Sequence, residues 1–169
     1  MKYIGIAMLA ITIFAGARAY ALSMSKRVKE LEAVSSMIKF MAAEIRYLMS
    51  PIQDIIKNLA EKRELSPLTF LQVCSNRMES GEDFPSAWKN AVEEYKAAGS
   101  LKDDDLRLLY SLGEEIGTSD ALGQEQVCQM YSELISLKLE EARGYEAKHK
   151  EFYSALGILG GLAVIIILI

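Results

Sequence analysis

Three regimes of hydrophobic patterning divide the chain. From Tyr3 to Ala17 the run YIGIAMLAITIFAGA carries no charge, and from Phe152 to Ile169 the run FYSALGILGGLAVIIILI carries none either. If Arg18 snorkels, the first run reaches Leu22, so both segments approach the roughly 20 apolar residues that span a bilayer core as a helix. Between them, apolar positions recur with a helical period. Leu31, Val34, Ile38, Met41, Ile45 and Leu48 alternate spacings of three and four, an a/d seam that continues the first run without a break.

Punctuation marks shorter helices after that seam. Ser50-Pro51-Ile52-Gln53 predicts a helix start with Ser50 as N-cap, Pro51 at the first helical position and Gln53 completing a capping box. Ser66-Pro67 predicts another start, with its helix ending near Ser80-Gly81. Phe84-Pro85 opens a helix carrying Ala87, Trp88, Ala91, Val92 and Tyr95 on one face, and Gly99-Ser100 breaks it, with Ser100 placed to cap a fifth helix reaching Glu115. After Gly117-Thr118-Ser119-Asp120, a stripe at Tyr131, Ile135, Leu139, Ala142, Tyr145, His149, Phe152 and Leu156 runs into the C-terminal apolar segment without a proline. As one helix that segment would be about 75 Å long. Sustained strand-like alternation is absent. The expected fold is all-α: transmembrane helices at residues 1–22 and 152–169 flank a cytoplasmic helical bundle at 23–151.

Composition sharpens this picture. Mean hydropathy is +0.12 although 25% of residues are charged, as expected when apolar residues concentrate at the ends and charges in the middle. The middle holds all 23 acidic residues and 17 of the 19 basic ones, an acidic module of net charge −6. Net charge over the whole chain is −4. That balance argues against nucleic-acid binding, which needs clustered Lys and Arg. Arg18, Lys26, Arg27 and Lys29 follow the first apolar run, and Arg143, Lys148 and Lys150 precede the second, whereas only Lys2 lies on the other side. The positive-inside rule then places the bundle in the cytoplasm and both termini outside. A cleaved export signal with Ala17-Arg18-Ala19 as its processing site is the competing reading of the first segment. The arginine in that tripeptide and the helix that begins directly after it argue against cleavage. A C-terminal lipid-anchor signal would need small residues and a polar spacer, where Tyr145, His149 and Phe152 stand instead.

Candidate chemistry is sparse. One histidine (His149) and two cysteines (Cys74 and Cys128, with no C-x-x-C) leave little for a metal site, a disulfide framework or a nucleophilic triad. Asp103-Asp104-Asp105 with Glu114 and Glu115 could bind a divalent cation, but three acids in a first helical turn also suit the helix dipole. A helix-stabilising face is the expectation there, with no metal and no cofactor. Cys74 and Cys128 read as small core residues, and Trp88 as a core anchor. No phosphate-binding glycine loop is present, so no enzymatic activity is expected. Gly157 and Gly161, with Gly160 between them, form a GxxxG face suited to close helix packing, and Ala15 and Ala19 offer a smaller counterpart.

The segments MAAEIRYLMSPIQDIIKNLA, FPSAWKNAVEEY, SLGEEIGTSDALGQEQV and LGILGGLAVIIILI, in this order between opposed apolar ends, resemble stage III sporulation protein AB of endospore-forming bacteria. The likeness covers nearly the whole chain, and LG-x-x-x-GTSD-x-x-x-Q is its most specific stretch. That family is similar in turn to one half of the F protein of type II secretion and type IV pilus systems, whose cytoplasmic domains are six-helix bundles. The resemblance implies a membrane platform in a channel complex between mother cell and forespore. Its implied partners are a secretion-type ATPase (stage III sporulation protein AA-like), other membrane proteins of the complex, and further copies of the chain, since one bundle stands where the secretion relatives have two. By position, it carries turn and packing roles onto Pro51, Trp88, Gly113, Gly117, Asp120 and Gln124. A rival class, an extracytoplasmic sensor or adhesion domain, would require the opposite orientation and, for signalling, an output domain beyond the second span.

Overall fold

The computed structural model describes the backbone of residues 2–48, 50–117 and 121–168, and the side chains of residues 22–48, 50–117 and 122–149. Its α-helices are α1 (Lys2–Ala43), α2 (Ile52–Glu61), α3 (Phe70–Glu79), α4 (Phe84–Lys96), α5 (Asp103–Glu115) and α6 (Ala121–Leu168). No strand occurs among the described residues, and the chain is all-α.

α1 and α6 form a long antiparallel pair. Arg143 donates to Glu32 at 2.7 Å and Arg46 to Glu125 at 2.9 Å, while Ser25 donates to Glu146. Rising numbers on α1 therefore meet falling numbers on α6, and the segments 2–22 and 150–168 leave the bundle at the same end. The shorter helices pack in chain order, α2 on α3, α3 on α4, α4 on α5 and α5 on α6. Their inner faces share one contiguous core. It joins Leu31, Val34, Met37, Ile38 and Met41 of α1 to Ile55, Ile56 and Leu59 of α2 and to Phe70, Leu71 and Cys74 of α3.

The membrane spans expected at residues 1–22 and 152–169 fall on positions whose side chains lie outside the described residues, Leu22 excepted. Among the described residues no helix is long and apolar enough to cross a membrane.

The seam on α1 departs from expectation at its end. Ile45 is 4% exposed, but Leu48 is 65% exposed. Residues Glu44–Leu48 form a π-helical stretch. Its i→i+5 turn is wider than an α-turn, so three further residues fail to bring Leu48 back to the inward face.

Three expected helix starts are also displaced. Pro51, not Ser50, is the N-cap of α2: its carbonyl accepts from Asp54 at 3.0 Å and Ile55 at 3.1 Å, and no side-chain cap forms. Gln53 is thus one position too early for a capping box. Around Ser66-Pro67 the chain makes tight turns instead of a helix, with Ser66 N–H on the Arg63 carbonyl and Leu68 N–H on that of Leu65. Leu65 and Leu68 are both buried there, and that burial overrides the capping signal; α3 begins only after Thr69. α5 starts after Lys102, not Ser100.

Other boundaries follow the sequence closely. Asp83 caps α4 by accepting from the Ser86 N–H at 3.2 Å, with Pro85 in the first turn. After α3, the Gly81 N–H bonds the Met78 carbonyl and the Glu82 N–H that of Arg77, the paired bonds of a Schellman ending. That ending requires φ of +95° at Gly81.

The rotation at the end of α1 has a direct test. Ile45→Ala should lower the unfolding free energy of the detergent-solubilised chain by about 2–5 kcal/mol, and Leu48→Ala by no more than about 0.5 kcal/mol. Equal losses in denaturant titrations would mean that the seam continues straight through Leu48.

Candidate functional site

The end of the bundle from which both terminal segments depart holds a group of linked polar side chains. Arg27 projects from α1 and donates to Asp105 in α5 through Nε to Oδ2 at 2.8 Å and Nη2 to Oδ1 at 3.0 Å. Both side chains are buried, and Asp105 is 0% exposed. The same Asp105 Oδ2 accepts from the Lys102 N–H at 2.9 Å, so one carboxylate caps its own helix and clamps that helix to α1. The hydrogen bonds that Arg27 donates to Asp105 hold the guanidinium above its usual pKa, outweighing the opposing effect of burial.

One turn further along α1, Glu30 accepts from the Ser100 N–H at 2.7 Å and fixes the α4–α5 connection. The Tyr95 hydroxyl is buried there without a partner at hydrogen-bond geometry. Burial, together with the nearby Glu30 carboxylate, pushes its phenol well above the ordinary range. Beside these clamps a cavity of 210 Å³ is lined by Ser23, Met24, Arg27, Ser100, Lys102 and Tyr145. The Lys102 ammonium stands 5.5 Å from the centre of the Tyr145 ring, which stacks on His149 at 4.1 Å. His149 Nδ1 lies 3.0 Å from the Tyr145 carbonyl. Tyr145, expected on the inward stripe of α6, is exposed.

A second constellation joins α4 to α5. The Trp88 indole N–H donates to the Leu109 carbonyl at 2.7 Å. It comes that close because Gly113 lies one turn further along α5: a Cβ there would sit 2.1 Å from Trp88 Cδ1. Phe70 packs edge-on to the indole at 5.2 Å, and Phe84 flanks it at 5.5 Å. Such aromatic pairs add about 0.5–1.5 kcal/mol beyond the area they bury.

The remaining sequence candidates are dispersed. Pro51 caps α2 and Gly117 follows α5 with φ of +86°, while Gln124 lies half-buried in the first turns of α6. Asp120 lies outside the described residues, as do the side-chain surroundings of Ala15, Ala19, Gly157, Gly160 and Gly161. The acidic cluster does not converge. Asp105 faces inward to Arg27, Asp103 pairs with Lys96 at 3.0 Å and Asp104 with Arg107 at 2.6 Å. Glu115 accepts from the Tyr131 hydroxyl at 2.7 Å. Among the described residues no three His, Cys, Asp or Glu side chains are grouped to hold a metal ion. Cys74 and Cys128 are buried free thiols, pushed by desolvation to about 12 and about 11 respectively. Thiols held that high carry almost no thiolate at neutral pH and are inert.

Sequence reasoning missed the Arg27–Asp105 pair. By sequence, Arg27 reads as a cation flanking the first apolar run and Asp105 as one of three acids suiting a helix dipole. The available signal was position: Asp105 is the third residue after Lys102, where a carboxylate reaches back to cap a helix.

The family model for stage III sporulation protein AB matches residues 2–169 of this chain. The chain belongs to that family. It is 22% identical over 145 residues to stage III sporulation protein AB of Bacillus subtilis (strain 168), a match covering 85% of each protein. A solved structure of a stage III sporulation protein AB superimposes with a TM-score of 0.65 at 19% identity, covering 73% of this chain and 98% of that one. The sporulation family and the helical fold are thereby both in place.

Three variants probe these contacts. Asp105→Ala leaves Arg27 buried and unpaired and should cost about 3–5 kcal/mol. The double variant Arg27→Leu/Asp105→Leu should cost distinctly less, since it leaves no uncompensated charge. Equal losses for the single and double variants would show that the pair is not electrostatically coupled. Gly113→Ala should cost about 1–3 kcal/mol by displacing the indole, with a change in Trp88 fluorescence at unchanged helix content.

Proposed function

We propose that this member of the family is a non-enzymatic membrane platform. In this reading residues 1–22 and 152–169 are its two spans, residues 23–151 form a cytoplasmic bundle, and both termini lie outside. The bundle docks a secretion-type ATPase in a channel complex that belongs to the mother-cell membrane facing the forespore. The observation that carries the reading is the antiparallel pairing of α1 with α6, because it directs two helical ends, each built around an uncharged run (3–17 and 152–169), away from the same side of one bundle. A hairpin of that kind can insert both ends into one membrane while the acidic bundle stays in the cytoplasm.

The clamps suit such a part. Arg27–Asp105 and Glu30–Ser100 tie α5 and the α4–α5 connection to α1 just below the departing helices. A displacement applied to the bundle would then pass along α1 and α6, because a packed helix moves as a rigid element. Arg27, Asp105 and Glu30 are occupied in holding helices together, which favours a structural role for them. Membership of a sporulation family supports assignment to a protein complex.

Vesicle flotation tests the reading. Proteoliposomes carrying the full chain should carry a purified stage III sporulation protein AA-like ATPase to the top of a density gradient, and empty vesicles should not. Equal recovery with empty vesicles would contradict it. In the membrane, Gly157→Leu/Gly161→Leu should block assembly of the larger complex while leaving insertion intact; a complex of normal size would show that this face makes no required contact.

A further inference from the structure

The outer face of α6 carries a feature that the core does not use. Cys128, Tyr131, Ile135 and Ala142 turn inward and are buried. About 120° round the helix from that face, Met130 is 44% exposed, Leu134 37% and Leu137 64%. Their spacing of four and three places them within an arc of about 60° at about 100° per residue, a continuous apolar stripe along the solvent side. Scattered surface leucines call for no explanation, but three in register on one helix face describe a contact seam.

Charge selects what fits that seam. Glu133 and Glu140 border one edge of the stripe and Glu141 continues its line. The nearest cation, Lys138 on the other edge, is engaged by Glu141 at 3.8 Å and Asp104 at 4.0 Å. The stripe therefore has an acidic border within a module of net charge −6. A second copy meeting it through its own stripe would set glutamates against glutamates. The face is instead complementary to an amphipathic helix whose apolar residues repeat every three and four positions and whose flanks carry Lys or Arg.

We infer that the Met130–Leu134–Leu137 face of α6 is the surface on which the cytoplasmic motor docks, through a helix with a basic flank. This inference rests on the platform reading and adds the place and chemistry of contact.

The flotation experiment, with full chain and purified ATPase, tests it when run on surface variants. Leu134→Glu/Leu137→Glu should weaken ATPase recovery at least tenfold with helix content and melting temperature unchanged. If that variant is unfolded by circular dichroism, Leu134→Gln/Leu137→Gln takes its place with the same expected direction. Glu133→Lys/Glu140→Lys should also weaken binding and flatten its dependence on salt. Wild-type chain that recovers ATPase, with stripe variants within twofold of it, would overturn the surface assignment while leaving the platform reading intact. Wild-type chain that recovers no ATPase would overturn both. Variants that convert a dimer to a monomer in detergent with ATPase binding unchanged would make the stripe a self-association surface, and the assignment would again be wrong.

Discussion

The arrangement at the exit end depends on one buried ion pair. Arg27 and Asp105 are both buried; they are hydrogen-bonded to each other, and Asp105 also accepts from the Lys102 N–H. A buried pair of this kind adds little net stability compared with a well-packed apolar pair, but half of it is strongly destabilising. Its value lies in position. Asp105 can satisfy Arg27 only when α5 begins at Asp103 and lies against α1 at that height. Lys102 is thereby carried over Tyr145, and Ser100 is brought to Glu30. Register between α1, α5 and α6 is consequently set at the end where the terminal segments leave the bundle.

The apolar contacts farther along fix the other end. Trp88 spans α4 and α5 because Gly113 clears its path to the Leu109 carbonyl, and Phe70 ties α3 to the same cluster. With polar clamps at one end and an aromatic cluster between α3, α4 and α5, the short helices cannot slide independently of the long pair. In the proposed platform, that is how a push received on the bundle would reach the membrane segments without being absorbed by local rearrangement.

Much of this was legible in the sequence, for identifiable reasons. Leu31, Val34, Ile38, Met41 and Ile45 announce a buried helix face because their spacing has only one structural solution. Phe84-Pro85 and Gly81 mark boundaries because proline and a positive φ are local constraints. Ser50, Ser66 and Ser100 misled because capping preferences are worth about 1 kcal/mol, less than burying Leu65 and Leu68 or pairing Asp105. Leu48 escaped because a π-helical turn shifts phase without any compositional sign. Position marks Asp105 as a capping residue, but its partner Arg27 lies 78 residues away, and a run of three aspartates already suits a helix dipole. The outer stripe on α6 was overshadowed by the longer inward one at Tyr131, Ile135 and Ala142.

The central claim is that the bundle hangs in the cytoplasm from two helices entering the membrane side by side. It is tested most directly by protease protection in intact spheroplasts expressing the full chain with a tag after Ile169. The account predicts a protected bundle, recovered whole, with the tag removed from outside. Digestion of the bundle in intact spheroplasts would contradict it, because a bundle reachable from outside could not meet a cytoplasmic motor.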